Sequence, residues 1–354
     1  MNFASLLPLS LPVNILLFVL ATAVVWIAGT RLAVYGTELS DRFNLSRAFV
    51  GLIFLATVTS LPEIVTTITA ATAGNAQLVL GNMFGGVTMQ TAILAVVDLL
   101  FVRYALTSWP RKPTHALEAV LLIILLNIIL TASFLGEFEA FWGIGLGALS
   151  LTLFYPLVIA LLHRYDEQSP WQPIDIPEHA EETIPFIKSR NIEELSKNQV
   201  IWQSVFASLM ILIAGYTLAN RADIIAEQAG LSSSFVGIAF LAAATSMPEL
   251  STTIAAARMG AYTMAISNIF GSNLIMVALI LPADIFYRKG PILAEIDNVT
   301  QFCIVTGILV TAIYIAGILI RRTPRLFGAG LDSVLVLIIY LASLFAAFML
   351  SSQQ

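Results

Sequence analysis

Two glutamates stand inside long apolar stretches of the sequence, each directly after a proline. Glu63 ends the motif TSLPE, and Glu249 ends the motif TSMPE. The stretches around them, Val50 to Asp98 and Val236 to Asp284, align without a gap, so both motifs occupy equivalent positions of an internal repeat. An aspartate at the centre of a membrane helix costs about 2.5 to 3.5 kcal/mol, and a comparable cost incurred twice predicts a functional pair of carboxylates.

Each glutamate is accompanied by other oxygen donors at helical spacing. In the first copy Thr59 lies four residues before Glu63, so hydroxyl and carboxylate share one helix face, and the second copy repeats this spacing. The prolines deprive the carbonyls of Val58 and Ala244 of their helical partners, and a carbonyl freed at bilayer depth has to line a cavity or bind a cation. The other hydroxyls and amides of the two copies are Thr245, Thr66, Thr67, Thr252, Thr253, Asn82, Gln90, Asn268, Ser272 and Asn273.

These donors are hard oxygen ligands, and they predict a site for Ca²⁺ or Na⁺ and not for a transition metal. Two glutamates also neutralise one divalent cation. The alternative is a pair of protonated glutamates that hydrogen-bond neighbouring helices, and it has to account for the same cost at both positions. For Thr66, Thr67, Thr252 and Thr253 the sequence leaves ligation and helix packing equally open.

Residues for other chemistries are few. Cys303 is the one cysteine and lies in an apolar segment, which predicts a small buried side chain and no internal disulfide or cysteine cluster. His115, His163 and His179 fall at helix ends or in a polar linker, which disfavours a histidine metal site. Without an HExxH helix or a serine–base motif, no enzyme activity and no resident cofactor are expected. Without a basic stripe, no nucleic-acid partner is expected, and no protein partner is required.

The elements that carry these residues must lie in a lipid bilayer. Of the 354 residues, 58% are hydrophobic and only 11% are charged, which is too little polar surface to cover a soluble globule. Apolar runs of about 17 to 25 residues can cross the hydrocarbon core. We predict ten such helices, at 11–35, 48–72, 77–102, 115–135, 138–162, 201–220, 235–257, 262–286, 299–320 and 331–350.

The positions of Lys and Arg orient these spans. With the N-terminus outside, all but Arg221, Arg288 and Lys289 fall on the cytoplasmic side. Both termini are therefore predicted to be external in a multi-pass protein of the cell (plasma) membrane. Five spans per half is an odd number, so the second half is inverted relative to the first. The expected fold is all-α, with two inverted five-helix repeats and helices broken at the proline–glutamate motifs.

Three ranges follow from this organisation: a first repeat at 1–162, a cytoplasmic linker at 163–200 and a second repeat at 201–354. The first span lacks a charged n-region and a cleavage site, so we expect it to be retained. The acidic linker is interpreted as a solvated tether in preference to a regulatory cation site. Its later part, 184–204, has the pattern of an interfacial amphipathic helix that leads into the sixth span.

Two further sets of residues recur in or near the repeat. Asp98 and Asp284 correspond to each other near the ends of their spans, and a solvated helix end is favoured over an ion vestibule. The glycines are interpreted as points of close helix approach, at Gly81, Gly85, Gly86 and Gly271.

The paired motifs resemble those of a known family. TSLPE with GNMFGG at 81–86, and TSMPE with SNIFGSN at 267–273, are similar to the two alpha-repeats of the sodium/calcium exchanger membrane region, within the Ca²⁺:cation antiporter superfamily. The resemblance covers nearly the whole chain and implies a secondary antiporter that works by alternating access. It implies that Glu63 and Glu249 bind Ca²⁺ and share in binding the counter-ion. It further implies help from Thr59, Ser60, Thr245 and Ser246, and sodium sites that use the backbone carbonyls of Ala56 and Ala242.

The chain departs from this family in the second helix of each repeat. The family has Gly-Ser, followed four residues after the serine by Asn or Asp, whereas this chain has Gly86 and Gln90 in the first copy. The second copy keeps Ser272 but has Met276, which offers no hard oxygen. The departures count against multiple Na⁺ sites and favour the exchange of two protons for one Ca²⁺, which would be electroneutral.

The function expected from the sequence is exchange of Ca²⁺ for Na⁺ or H⁺ across a membrane, with the first and sixth spans sliding across the site as the resemblance implies. Alternatives are a proton-coupled antiporter for another cation, a transport-inactive scaffold that kept the fold, and a cation channel, which inverted broken repeats disfavour.

Overall fold

The computed structural model describes residues 9–42, 56–102, 105–110, 113–168, 195–258, 260, 262–321, 324–326 and 329–352. Within these residues the chain is a bundle of helices with two short hairpins. The first half contains α1 Leu11–Arg42, α2 Ala56–Thr59, α3 Leu61–Ala73, α4 Ala76–Phe101, α5 Thr114–Leu135, β1 Glu139–Phe141, β2 Ile144–Gly145 and α6 Leu146–Gln168. The second half contains α7 Lys197–Ala229, α8 Ser233–Val236, α9 Ala242–Thr245, α10 Met247–Arg258, α11 Tyr262–Ala278, α12 Ile280–Tyr287, α13 Asn298–Ile320, β3 Arg325–Leu326, β4 Ala329–Gly330 and α14 Leu331–Ser351.

The membrane-spanning all-α architecture is confirmed. In the part of the chain that the structure describes, eight helices are long and apolar enough to cross a bilayer, and one bent pair makes a ninth. That pair joins Ser233–Thr245 to Met247–Arg258 at an angle of 47°. The count of ten stays a prediction, because residues 43–55, at the start of the predicted second span, lie outside the described residues.

The helices break immediately before each proline–glutamate motif. Ser60 has φ −81° and ψ 10°, and Ser246 has nearly the same angles, −79° and 11°. The break follows from the sequence, because proline lacks the N–H that would continue the helix and is favoured in a first turn. Each glutamate therefore lies in the first turn of a new helix, α3 or α10.

The fifth and sixth spans differ from their predicted bounds. Residues 139–145 are not helical, because Trp142 and Gly143 take positive φ angles and turn β1 back onto β2, so α6 begins at Leu146. The sixth span, α7, begins at Lys197 because Ser196 forms a capping box. Because α6 extends to Gln168 and α7 begins at Lys197, the linker between the two helices comprises 169–196 and is shorter than the predicted 163–200. Of the predicted interfacial helix, residues 184–194 lie outside the described residues, and those from Lys197 onward belong to α7.

The interpretation of Asp98 and Asp284 as solvated helix ends is wrong. Both side chains are buried, 0% and 2% exposed. Each carboxylate accepts two backbone N–H bonds, one from its own repeat and one from the glycine before the last helix of the other repeat. The donors are Leu106 and Gly330 to Asp98, at 2.8 Å each, and Ile292 and Gly145 to Asp284, at 2.6 and 2.7 Å.

Glycines allow the helices of the two repeats to interlock. A Cβ at Gly81 would clash with the backbone of Ser234, and one at Gly85 would clash with Ile238, so the predicted close approach is confirmed there. Gly86 is different, because its Cβ position would only touch the side chain of Met276. The predicted burial of Cys303 is also confirmed.

The first and sixth spans, α1 and α7, pack along each other and lie across the broken helices. Gly29 of α1 packs against Pro248, in the motif of the other repeat, and the equivalent Gly215 of α7 packs against Val65, just after the first motif. Each long helix therefore crosses the proline–glutamate motif of the opposite repeat.

Candidate ion-binding site

The fold brings Glu63 and Glu249 together in the interior. Both side chains are 0% exposed, and the two carboxylates are close enough for their charges to interact. Each lies in the first turn of its helix, where free N–H groups and the positive end of the helix dipole stabilise negative charge. The two broken helices thus direct their N-termini at one buried dicarboxylate.

The glutamate of the second repeat is held by hydroxyl groups. Oε1 of Glu249 accepts from Ser60 Oγ and from Ser272 Oγ, both at 3.4 Å, and the two serines also lie 3.4 Å apart. Ser60 belongs to the first repeat, so the bond joins the two halves. Thr59 of the first repeat lies beside the same carboxylate. At 3.4 Å these bonds are longer than the usual 2.5–3.0 Å for O–H···O, so they are weak.

The glutamate of the first repeat has no such support. Among the residues that the structure describes, neither oxygen of Glu63 accepts a hydrogen bond, and the hydroxyl of Ser246, equivalent to Ser60, has no partner either. Thr245 lies beside Glu63 but is 3.4 Å from Asn82 Oδ1 and 3.3 Å from the carbonyl of Ala242, to which it donates. The position equivalent to Ser272 is Gly86, which has no hydroxyl to offer.

Two asparagines tie the broken helices to the helices that follow them. Asn82 donates to Thr66 at 3.2 Å, and Asn268 donates to Thr252 at 3.0 Å and to Thr253 at 3.3 Å. Thr66 and Thr252 also donate to the carbonyls of the motif prolines at 2.9 Å. Their hydroxyls are thus engaged in holding the motif, which favours a positioning role over ion ligation for these two threonines.

Nine buried polar atoms of the broken helices and of the helices that follow them have no hydrogen-bond partner among the described residues. Each such group costs about 1 to 3 kcal/mol, so a group of them indicates that something else completes their coordination. Most are acceptor oxygens, as cation binding requires. They are both carboxylate oxygens of Glu63, Glu249 Oε2, Ser246 Oγ, Thr67 Oγ1, Asn268 Oδ1, Asn273 Oδ1 and both amide atoms of Gln90.

The residues at the positions where the family resemblance implies sodium ligands are poorly suited to bind Na⁺. Met276 is 1% exposed, and its sulfur would lie 3.6 Å from a Cβ at residue 86, so the thioether fills the space beside Gly86. The carbonyl of Ala242 already accepts from Ser246 N at 3.0 Å and Thr245 Oγ1 at 3.3 Å, which uses both of its lone pairs. Ala56 begins α2, and its surroundings are not described.

One contact was not predicted from the sequence. Asn273 donates to Thr91 at 3.4 Å across α11 and α4. Thr91 aligns with Val277, so the repeat gave no signal for it. Among the described residues, no three His, Cys, Asp or Glu side chains form a metal cluster, and two carboxylates with hydroxyls and amides make up this site.

Comparison with known proteins identifies a family whose sequence profile covers both halves of the chain. The sequence profile of the family described as sodium/calcium exchanger protein matches residues 13–162 and 199–349, which include both motifs. The inner membrane protein YrbG of Escherichia coli (strain K12) is 24% identical over 336 residues, covering 92% of this chain and 97% of its own length.

Two solved structures share the fold at low sequence identity. The H⁺/Ca²⁺ exchanger CAX aligns with a TM-score of 0.60 at 16% identity, covering 94% of this chain and 88% of its own. The sodium–calcium exchanger NCX_Mj aligns with a TM-score of 0.57 at 17% identity, covering 95% and 99%. The fold is therefore similar to that of a proton-coupled and of a sodium-coupled exchanger to almost the same degree.

Proposed function

Because the chain belongs to the sodium/calcium exchanger protein family, we propose that it is a secondary-active antiporter in which Ca²⁺ and a monovalent counter-ion compete for Glu63 and Glu249. The observation that carries this proposal is the buried dicarboxylate, three of whose four oxygens accept no hydrogen bond from any residue that the structure describes. Two carboxylates and nearby hydroxyl and amide oxygens are ligands suited to Ca²⁺. The remaining proposed ligands are Thr59, Ser60, Thr245, Ser246, Asn82, Asn268, Ser272 and Gln90, with the carbonyl of Ala56 and, least supported, that of Ala242.

We propose protons as the counter-ion. Gly86 removes a hydroxyl from the first half of the site, and Met276 fills the space beside it with a thioether, a poor ligand for Na⁺. Glu63 and Glu249 are the titratable groups of the site, so protonation of both would release one Ca²⁺ without net charge movement. Both amide atoms of Gln90 on α4 are buried without a partner among the described residues, and a sodium site that uses them is the competing possibility that the flux experiment tests.

The contacts of α1 and α7 support alternating access. Gly29 and Gly215 are equivalent positions, and each lets a long helix pass close to a motif of the opposite repeat. Movement of α1 and α7 across α2–α3 and α9–α10 would open the dicarboxylate to one side at a time. The proposed orientation has both termini external and the linker cytoplasmic in the plasma membrane, and it rests on the distribution of Lys and Arg.

The test is uptake of ⁴⁵Ca²⁺ into proteoliposomes of the purified protein under an imposed pH gradient or an imposed Na⁺ gradient. We expect uptake with the pH gradient, and its loss in Glu63→Gln and Glu249→Gln. The matched control is Glu139→Gln, at an exposed glutamate of β1. Uptake that is driven by the Na⁺ gradient but not by the pH gradient would show that the counter-ion is Na⁺ and not H⁺. No Ca²⁺ flux under either gradient would indicate another cation or a transport-inactive scaffold.

A further inference from the structure

A second group of buried polar side chains lies where α4 ends and α14 begins. Asp98 and Asp332 are 0% and 4% exposed. Asp98 follows Asn82 by sixteen residues on α4, which is about 24 Å along a helix, so this group is separate from the central site. The proposed transport function does not use it.

The two aspartates keep spare acceptor capacity. Each carboxylate oxygen accepts one hydrogen bond, although a carboxylate has about four lone-pair sites. The donors are Leu106 N and Gly330 N to Asp98, at 2.8 Å each, and Thr107 Oγ1 at 2.5 Å and Ser333 N at 2.9 Å to Asp332. Counting the donors in the described part of the chain, half of the acceptor capacity of the pair is therefore left for another ligand.

Both carboxylates lie against Gly330. A Cβ placed on Gly330 would lie 3.3 Å from Oδ2 of Asp98 and would clash with Oδ1 of Asp332. Like charges this close repel each other in a medium of low dielectric constant, and a cation between them would reverse the sign of that interaction.

Two buried hydroxyl groups lie near the pair. Tyr314 and Ser333 are 0% exposed, and neither hydroxyl has a hydrogen-bond partner within the described ranges. Tyr314 lies within electrostatic range of both aspartates, and Ser333 lies beside Asp98 and Tyr314. A buried hydroxyl next to a carboxylate normally donates to it. Oxygens that surround one cation instead lie side by side without bonding to each other, and this arrangement fits that case.

We propose that Asp98, Asp332, Tyr314 and Ser333 form a second cation site, for a hard cation of the Ca²⁺ class. Two carboxylate and two hydroxyl oxygens supply four hard ligands, and water would complete the six to eight that Ca²⁺ takes. A bound cation would join α4, α13 and α14 at this face of the bundle.

Two arginines lie near the proposed site. Arg321 donates to the carbonyls of Pro110 and Ser108, and Arg325 donates to that of Val102. If the aspartates were neutralised by arginines, the cluster would bind no cation, and the experiment separates the two cases.

The experiment measures equilibrium binding of ⁴⁵Ca²⁺ to the purified full-length protein. In Glu63→Gln/Glu249→Gln, which removes the central carboxylates, we expect one class of Ca²⁺ sites to remain. Adding Asp332→Asn, which keeps an acceptor for Thr107, should weaken this residual binding roughly tenfold or more. A protein that loses flux in the double variant but keeps residual binding separates this site from the transport site.

Tyrosine variants provide the matched control. Tyr314→Phe keeps the ring that packs edge-on against Phe270 at 6.2 Å and removes only the hydroxyl. Tyr340→Phe removes a hydroxyl that donates to Met89 and lies outside the site. Residual binding, and Tb³⁺ luminescence sensitised by tyrosine, should fall in the first and stay unchanged in the second. The proposal is overturned if folded Glu63→Gln/Glu249→Gln binds no Ca²⁺, or if Asp332→Asn and Tyr314→Phe leave residual binding intact.

Discussion

The two halves of the central site have the same backbone but different hydrogen bonding. Ser60 and Ser246 break their helices with nearly identical angles, and each glutamate follows three residues later. Glu249 accepts two serine hydroxyls, whereas Glu63 accepts none. One of the two differences is in the sequence, Ser272 in one repeat and Gly86 in the other. The other is in packing, because Ser60 donates to Glu249 whereas the equivalent Ser246 makes no hydrogen bond among the described residues. A duplicated fold can therefore keep its geometry while its two carboxylates acquire different environments.

The largest effect is expected from removing either charge. Glu63→Gln and Glu249→Gln should each lower Ca²⁺ flux by roughly 100-fold or more, equivalent to about 2.7 kcal/mol, because one carboxylate cannot neutralise a divalent cation. Proteoliposome flux measures this. Equal losses would mean that the site acts as a unit despite its asymmetry, and flux retained in one variant would assign the Ca²⁺ ligand to the other glutamate.

The next effect concerns the long helices. A Cβ on Gly29 would meet Pro248, with its Cβ at 2.9 Å, and one on Gly215 would meet Val65, with its Cγ1 at 2.8 Å. Overpacking costs about 1 to 3 kcal/mol. Gly29→Ala and Gly215→Ala should therefore slow transport while Ca²⁺ binding is retained, which binding and flux measured on the same preparations would show. Wild-type flux in both would remove these contacts from the transport cycle.

Restoring the missing hydroxyl should reduce the asymmetry. In Gly86→Ser the new side chain would meet only Met276, at 3.6 Å, so it fits, and its hydroxyl can donate to Glu63. A hydrogen bond to a charged group contributes about 1.5 to 3 kcal/mol. Because the equivalent bond from Ser272 to Glu249 is long, at 3.4 Å, we expect Ca²⁺ binding at acidic pH to tighten only about threefold. Binding measured at pH 6 and pH 8 tests this. A decrease at both values would mean that Gly86 is needed for space.

The serines allow the same comparison by deletion. Ser272→Ala removes a hydroxyl that bonds Glu249, and Ser246→Ala removes one without a partner. Because weak bonds contribute about 1 kcal/mol, Ser272→Ala should lower Ca²⁺ affinity a few-fold and more than Ser246→Ala. A larger effect of Ser246→Ala would contradict this order and would mean that cation ligation by Ser246 outweighs the contribution of Ser272.

The smallest effect is expected from Glu137, which lies near the start of the last helix of the first repeat. In the second repeat Asp332 follows the hairpin, whereas the first has Gly147 there, which donates to Glu137 at 2.5 Å. Burial raises the pKa of Glu137 above its usual value, so the folded state favours its protonated form. This contribution is present at low pH and is lost as the pH rises through the raised pKa. Glu137→Gln should slightly flatten the decline of melting temperature as the pH rises above 4.5, the ordinary pKa of glutamate, and an unchanged slope would contradict this.

Much of the fold followed from local chemistry. Proline placed the helix breaks at Ser60 and Ser246, and apolar length placed most spans. The bounds failed where a side chain or a turn intervened, as at the Trp142–Gly143 turn and the Ser196 cap. The burial of Asp98 and Asp284 was not predicted, because a carboxylate at the end of a span is usually solvated. The glycines that donate to them, Gly330 and Gly145, lie in the opposite repeat and far away in the sequence.

The sequence by itself determined that the chain spans a membrane, that it is a duplication, and that each copy carries a proline-linked glutamate with oxygen donors at helical spacing. Periodicity, composition and the missing proline N–H act over a few residues, so they can be read along the chain. Only the tertiary structure decided which hydroxyl bonds which carboxylate, that Met276 lies against Gly86, and that Asp98 and Asp332 both lie against Gly330. Apart from the bond between Ser272 and Glu249, which are 23 positions apart, these contacts join residues about 190 to 230 positions apart. Packing of the two inverted halves brings those distant residues together.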